Sequence, residues 1–135
     1  MTDHPAVKLK RGFRQLLDEA TSQIVTIPVE DALDMIERDD VLFVDLRDVR
    51  EIAREGKIPG AFHCPRGMLE FWIDPESPYH KPPLSSGKQL VFYCASAWRS
   101  ALAAKAAQDM GVPAVAHLGG GFSAWLAADG DIELI

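Results

Sequence analysis

The spacing of hydrophobic positions changes along the chain, and each spacing predicts an element. From 5 to 21, Leu9, Phe13, Leu16, Leu17 and Ala20 recur at intervals of three and four, while Lys10, Arg11, Arg14 and Asp18 fall mostly elsewhere. This is one face of an amphipathic helix. Ile24–Ile27 reads as a short strand. Pro28 suits the first turn of a helix running to about Arg38, with Ala32, Leu33 and Ile36 inward. Val41–Asp45 (VLFVD) and Gln89–Cys94 (QLVFYC) are continuous apolar runs, the pattern of strands buried on both faces. Between them, Asp48–Arg54 predicts a short helix stopped at Gly56, Phe62–Cys64 a short strand, and Met68–Trp72 a brief helix. Residues 74–88 hold four of the nine prolines and predict an irregular loop. Arg99–Met110 is an Ala-rich helix whose polar residues Lys105, Gln108 and Asp109 share one narrow stripe, so the rest is expected to be buried, with Gly111 as its cap. Ala114–Leu118 is another strand, and a last helix follows over Phe122–Ala128. Alternating strands and helices predict an α/β sandwich: a central, mostly parallel sheet with helices on both faces.

Composition narrows the class. The chain has 135 residues, 47% hydrophobic and 25% charged, which fits one domain and excludes general disorder, collagen and coiled coil. No apolar run approaches the length of a bilayer span. The N-terminal stretch lacks the apolar core of a secretory signal, so a cytoplasmic location without a membrane partner is expected. Fourteen Lys and Arg oppose twenty Asp and Glu, a formal charge of −6. The basic residues cluster only at Lys8, Lys10, Arg11 and Arg14, which argues against a nucleic-acid partner. A basic membrane-surface helix over 5–21 is the weaker reading, because the stretch is short and has no Trp. Cys64 and Cys94 form neither a CxxC pair nor a zinc spacing, so no metal or cofactor is expected.

The candidate chemistry lies in Cys94-Ala95-Ser96-Ala97-Trp98-Arg99-Ser100, between a buried strand and a helix N-terminus. A tight loop there curls its backbone N–H groups inward as an anion-binding nest. The helix start adds partial positive charge and Arg99 a full one. All three stabilise a thiolate, which is the nucleophilic form. The plain alternative is a small buried hydrophobe closing a strand. The small residues that follow, and then an Arg that resists burial without an anionic partner, favour the catalytic reading. Asp45 also ends a strand, and ligands of such sheets bind beyond the carboxyl ends.

Five ordered motifs resemble those of single-domain rhodaneses, a sulfurtransferase family. They are Asp45-Leu46-Arg47, Glu51, Gly56-Lys57-Ile58-Pro59-Gly60-Ala61, Tyr93-Cys94 with Arg99-Ser100, and Leu118-Gly119-Gly120-Gly121-Phe122 followed by Trp125. The resemblance covers about residues 22–130. It implies a rhodanese-like three-layer sandwich over 22–135, preceded by a helical extension over 1–21. It also implies that Cys94 takes the outer sulfur of a donor such as thiosulfate as a persulfide and passes it to a thiol, to cyanide or to a protein acceptor. By the same resemblance the backbone from Ala95 through Ser96, Ala97 and Trp98 to Arg99 cradles the persulfide, and Arg99 orients the anionic donor. Family loops often carry Gly where this chain has Ala97, and an Ala at positive φ costs roughly 1 kcal/mol or more. Lys57 replaces the His of many relatives and reads as a solvated residue.

The rivals are a non-catalytic rhodanese-like module that binds a partner or senses redox state, and a cysteine phosphatase or arsenate reductase. Those enzymes place five residues between Cys and Arg, and this chain places four. Arg47 and Arg50 are candidates for added positive potential, with a structural ion pair between Asp45 and Arg47 preferred. Cys64 is read as core, and His63 and His117 as structural. Trp98 either packs on the scaffold or walls the donor site. Trp72, Tyr79, His80 and Lys81 are candidates for a rim, with local loop packing preferred. Gly119–Gly121 reads as a backbone turn, because it lacks the Lys-Ser/Thr of a phosphate loop.

Overall fold

The two continuous apolar runs lie side by side in the sheet. A computed structural model describes residues 5–135; residues 1–4 of the expected N-terminal extension lie outside the described residues. The strands are β1 (Val25–Ile27), β2 (Val41–Asp45), β3 (Phe62–His63), β4 (Gln89–Tyr93) and β5 (Val115–Leu118). They order β1-β5-β4-β2-β3, and every pairing is parallel. The register sets Asp45 opposite Tyr93, so β2 and β4 end together.

Parallel strands need crossovers, and the helices supply a layer on each face. Alternation along β4 sends Leu90 and Phe92 to one core and Val91 and Tyr93 to the other. The first core is closed by α1 (Phe13–Gln23), α4 (Leu69–Ile73) and α5 (Trp98–Asp109), the second by α2 (Val29–Leu33) and α6 (Gly121–Ala127). Helix α3 (Val49–Glu55) follows β2, capped by Asp48 and ending at Gly56. Ser100, Ala101, Ala103, Ala104 and Ala107 of α5 are buried, and their small side chains let α1 and the sheet approach closely. No helix among the described residues is long and apolar enough to cross a membrane.

Two helices are shorter than their periodicity predicts. Helix α1 starts at Phe13 behind Gly12, and Leu9 is exposed. Lys8, Lys10 and Arg11 would oppose the positive end of a longer helix, and Gly12 is a poor helix former. Helix α2 ends at Leu33 instead of about Arg38. The chain continues in tight turns, with Asp34 N–H bonded to Asp31 O and Met35 N–H to Ala32 O. Asp34, Glu37, Asp39 and Asp40 would crowd the negative end of a longer helix. Residues 74–88 fold back on α4: Lys81 N–H donates to Trp72 O at 2.9 Å, and the Lys81 ammonium sits 5.1 Å from the Trp72 ring centroid. Trp72, Tyr79, His80 and Lys81 line a cavity of their own with Met68 and Pro78.

Candidate active site

Strand β4 delivers Cys94 one residue past its end, where the backbone leaves the sheet and Cys94 is only 1% exposed. Two contacts fix the turn that follows. Phe122 N–H donates to Cys94 O at 2.7 Å, and Ser123 N–H donates to Ala95 O at 3.1 Å. This requires α6 to approach backbone to backbone. A Cβ on Gly121 would lie 2.6 Å from both the Cys94 and Ala95 carbonyl oxygens, and Gly121 has φ +63°. Gly121 is therefore the close-packing residue that seats the Cys94 loop.

Ala97 then turns the chain into α5 with φ +84° and ψ −2°, a left-handed residue other than glycine. Its carbonyl accepts Ala101 N–H at 3.0 Å and the Ser100 hydroxyl at 3.2 Å. None of the N–H groups from Ala95 to Arg99 donates to a backbone carbonyl among the described residues. They stand open beside Cys94 at the positive end of a three-turn helix, the arrangement that favours an anion.

Arg99 is not a free cation. Its Nη1 and Nη2 donate to Glu51 Oε2 and Oε1 at 2.8 and 2.9 Å, a bidentate pair. The pair with Arg99 holds the Glu51 carboxyl down to about 2, with help from the Asp48 N–H. Glu51, and to a smaller extent Cys94, raise the already high pKa of Arg99. The Asp48-to-Glu51 spacing shows a capping box in the sequence. Its second use, reaching a residue 48 positions away, shows only in three dimensions.

Arg47 is fully buried. It donates from N–H, Nε and Nη2 to Asp45, from Nη2 to Gly56 O at 2.7 Å, and from Nη1 to Glu55 at 3.3 Å, while its guanidinium lies 4.1 Å from the Phe122 ring centroid. The Tyr93 hydroxyl donates to Asp45 Oδ2 at 2.8 Å. Asp45 thus anchors the scaffold behind the loop, and the Arg47 charge is balanced by carboxylates. Arg50 points to solvent and pairs with Asp48. Positive potential from either Arg is balanced in place.

Sequence reasoning missed one buried connection. Thr26 Oγ1 and Ser100 Oγ each lie 2.9 Å from a His117 ring nitrogen, so His117 joins β1, β5 and α5. Each ring nitrogen of His117 thus has a hydroxyl partner, Nε2 with Thr26 and Nδ1 with Ser100. Burial lowers the His117 pKa, which keeps the ring neutral. His63 caps the Arg47 carbonyl at 2.7 Å. Cys64 is buried, and burial pushes its thiol up to about 12, an inert setting. Among the described residues no three His, Cys, Asp or Glu side chains group as metal ligands. Trp98 is half exposed at the start of α5, its ring tilted against that of Phe13 of α1 with centroids 5.0 Å apart.

Fold and loop together define a parallel α/β domain with a cysteine at the carboxyl end of its central strand. A profile described as the rhodanese-like domain matches residues 28–128, and the chain belongs to that family. A sulfurtransferase of Allochromatium vinosum is 32% identical over 91 residues, covering 67% of this chain and 77% of that protein. The mouse thiosulfate sulfurtransferase/rhodanese-like domain-containing protein 3 is 29% identical over 92 residues, covering 64% of this chain and 59% of its own length. A solved structure from Rhodopseudomonas palustris CGA009, a protein of unknown function described as a possible tyrosine phosphatase, is 55% identical with a TM-score of 0.93. It covers 96% of this chain and 100% of its own.

Proposed function

We propose that the chain transfers sulfane sulfur through a persulfide on Cys94. The observation that carries this reading is the set of unpaired loop N–H groups around a cysteine at the start of α5. In the first half-reaction the Cys94 thiolate attacks the outer sulfur of thiosulfate or a similar donor. The sulfur–sulfur bond of the donor breaks, sulfite leaves with the electron pair, and the outer sulfur stays on Cys94. In the second, a thiolate or cyanide takes that sulfur and restores the thiolate. This is two-step covalent catalysis with ping-pong kinetics. A retained cysteine in an open nest favours it over a purely binding module.

The R. palustris relative motivates phosphate-ester hydrolysis as a second reading. Two features disfavour it. Four residues separate Cys94 from Arg99, a smaller cup than the five-residue phosphatase loop. The planar fork of Arg99, which would clamp phosphate, is occupied by Glu51. Intact mass after thiosulfate treatment tests the proposal. One sulfur atom is expected to be gained by the wild type and by Cys64→Ser, lost again on cyanide treatment, and absent from Cys94→Ser. Equal gain in both single variants overturns the assignment. Hydrolysis of p-nitrophenyl phosphate without any sulfur gain selects the second reading.

A further inference from the structure

The buried Ser100 hydroxyl has one hydrogen to give, and two neighbours stand within reach of it. Ala97 O lies at 3.2 Å and His117 Nδ1 at 2.9 Å. A carbonyl can only accept, whereas an imidazole nitrogen donates or accepts according to where the ring carries its hydrogen. With the hydrogen on Nδ1, the ring donates to Ser100 Oγ, and the hydroxyl hydrogen goes to Ala97 O. With Nδ1 bare, the ring competes for that hydrogen from the shorter distance, and Ala97 O loses it. The tautomer of His117 therefore decides whether the hydroxyl holds the Ala97 carbonyl.

Thr26 bears on the same choice from the far side of the ring. Burial keeps His117 neutral, so one nitrogen carries the hydrogen and the other is bare. Thr26 Oγ1 lies 2.9 Å from Nε2. A hydroxyl that donates to Nε2 leaves the ring hydrogen on Nδ1, and the bonds then run one way, from Thr26 through His117 and Ser100 to Ala97 O. Chains of this kind strengthen each bond in turn. The end point matters to the site. Ala97 is the left-handed residue of the loop, at φ +84°. Such a residue curls successive N–H groups into a nest, and an alanine stays there only where its surroundings hold it. The other donor to its carbonyl, Ala101 N–H, comes from α5 alone, whereas the hydroxyl is tied through His117 to the sheet.

We propose that Thr26 and His117 are positioning residues of the Cys94 loop, acting through Ser100 to hold Ala97 in its left-handed conformation. The inference rests on the persulfide reading of Cys94 and deepens it, because the nest that Ala97 shapes is what cradles the transferred sulfur in that reading. Neither residue belongs to the loop. Thr26 lies on β1, ahead of the residues that the family profile matches, and His117 lies on β5. A hydroxyl at the edge of the sheet thus sets the backbone beside the nucleophile through two intervening side chains.

Thr26→Val keeps the shape of the side chain and removes its hydrogen, at an exposed position on an edge strand where packing changes little. Ring nitrogen NMR shifts of His117 in the full-length protein report the tautomer. Wild type is expected to carry the hydrogen on Nδ1, and Thr26→Val to shift it toward Nε2. The same variant should load Cys94 from thiosulfate roughly two- to tenfold more slowly, the range set by one hydrogen bond. Iodoacetamide should also alkylate its Cys94 more slowly at fixed pH, whereas a loosened fold would speed alkylation. Thr26→Ser, which keeps the hydroxyl, should match wild type in all three measurements. Glycine takes the left-handed conformation without support. In an Ala97→Gly background, Thr26→Val should therefore slow neither reaction. A wild-type hydrogen on Nε2 overturns the inference. So do unchanged rates in Thr26→Val, or an equal fall in the Ala97→Gly background, which would leave Thr26 a role in the fold alone. Failure of wild-type Cys94 to load overturns the transferase reading instead, and the tautomer and alkylation rates then still decide the positioning role.

Discussion

Ala97 is the most informative single residue of the loop. A left-handed alanine costs roughly 1–2 kcal/mol, because its Cβ crowds the following carbonyl. The Ser100 hydroxyl and the Ala101 N–H, both on its carbonyl, hold it there. Ala97→Gly should relieve the clash but add unfolded-state freedom, which offsets about 0.4–1 kcal/mol. The net expectation is a gain of up to about 1 kcal/mol, seen as a melting temperature a few degrees higher. Unchanged or lower stability would show that the loop pays no strain at 97. Glu51 carries a prediction of its own. Its folded pKa of about 2 lies below the ordinary carboxylate value, so its contribution to stability is present above about pH 4.5 and is lost as pH falls toward 2. In Glu51→Gln the urea midpoint should fall less steeply across that window. The same change frees the Arg99 charge beside the thiol, so iodoacetamide should alkylate Cys94 a few fold faster at fixed pH. An unchanged alkylation rate would mean that the Arg99 charge does not reach Cys94.

At the scale of elements, three backbone segments meet at the site: the end of β4, the start of α5 and the start of α6. The glycine run is readable in the sequence as a turn, yet its function is decided by what it touches. Gly121→Ala would place a methyl group 2.6 Å from two carbonyl oxygens at a positive φ. The expected outcome is a loss of about 1–3 kcal/mol with the Cys94 loop displaced. Thermal unfolding measures the first and persulfide formation from thiosulfate the second. Wild-type stability in this variant would mean that α6 yields easily and does not seat the loop. Helix α1 shows the opposite balance. Its apolar spacing is legible from Phe13 onward, but its start is decided by Gly12 and by basic residues at the wrong helix end, so periodicity alone extends it too far.

For the molecule as a whole, the Asp45–Arg47 pair is the joint between layers. It ties β2 to the end of α3 through Glu55 and Gly56, to β4 through Tyr93, and to α6 through the Phe122 ring. Both side chains are fully buried, so removing one leaves an uncompensated charge. Arg47→Leu should cost about 3–5 kcal/mol in urea unfolding, and adding Asp45→Asn should recover part of it. A loss below about 1 kcal/mol, or no recovery, would mean that water reaches the pair and that it does not join the layers.

The sequence by itself determined the α/β alternation, the two central strands and the placement of Cys94 between a strand and a helix. These are local properties: apolar runs, helical spacing and turn residues act within a few positions of each other. It also carried the family motifs in order. Tertiary structure alone decided that Arg99 answers to Glu51, that His117 bridges Thr26 and Ser100, and that Gly121 meets the Cys94 and Ala95 carbonyls. The physical reason is the same in each case. A charge or hydrogen-bonding group is given its role by the partner it meets, and here those partners come from elements far apart in the chain, brought together only when parallel strands stack and their crossovers fold over both faces.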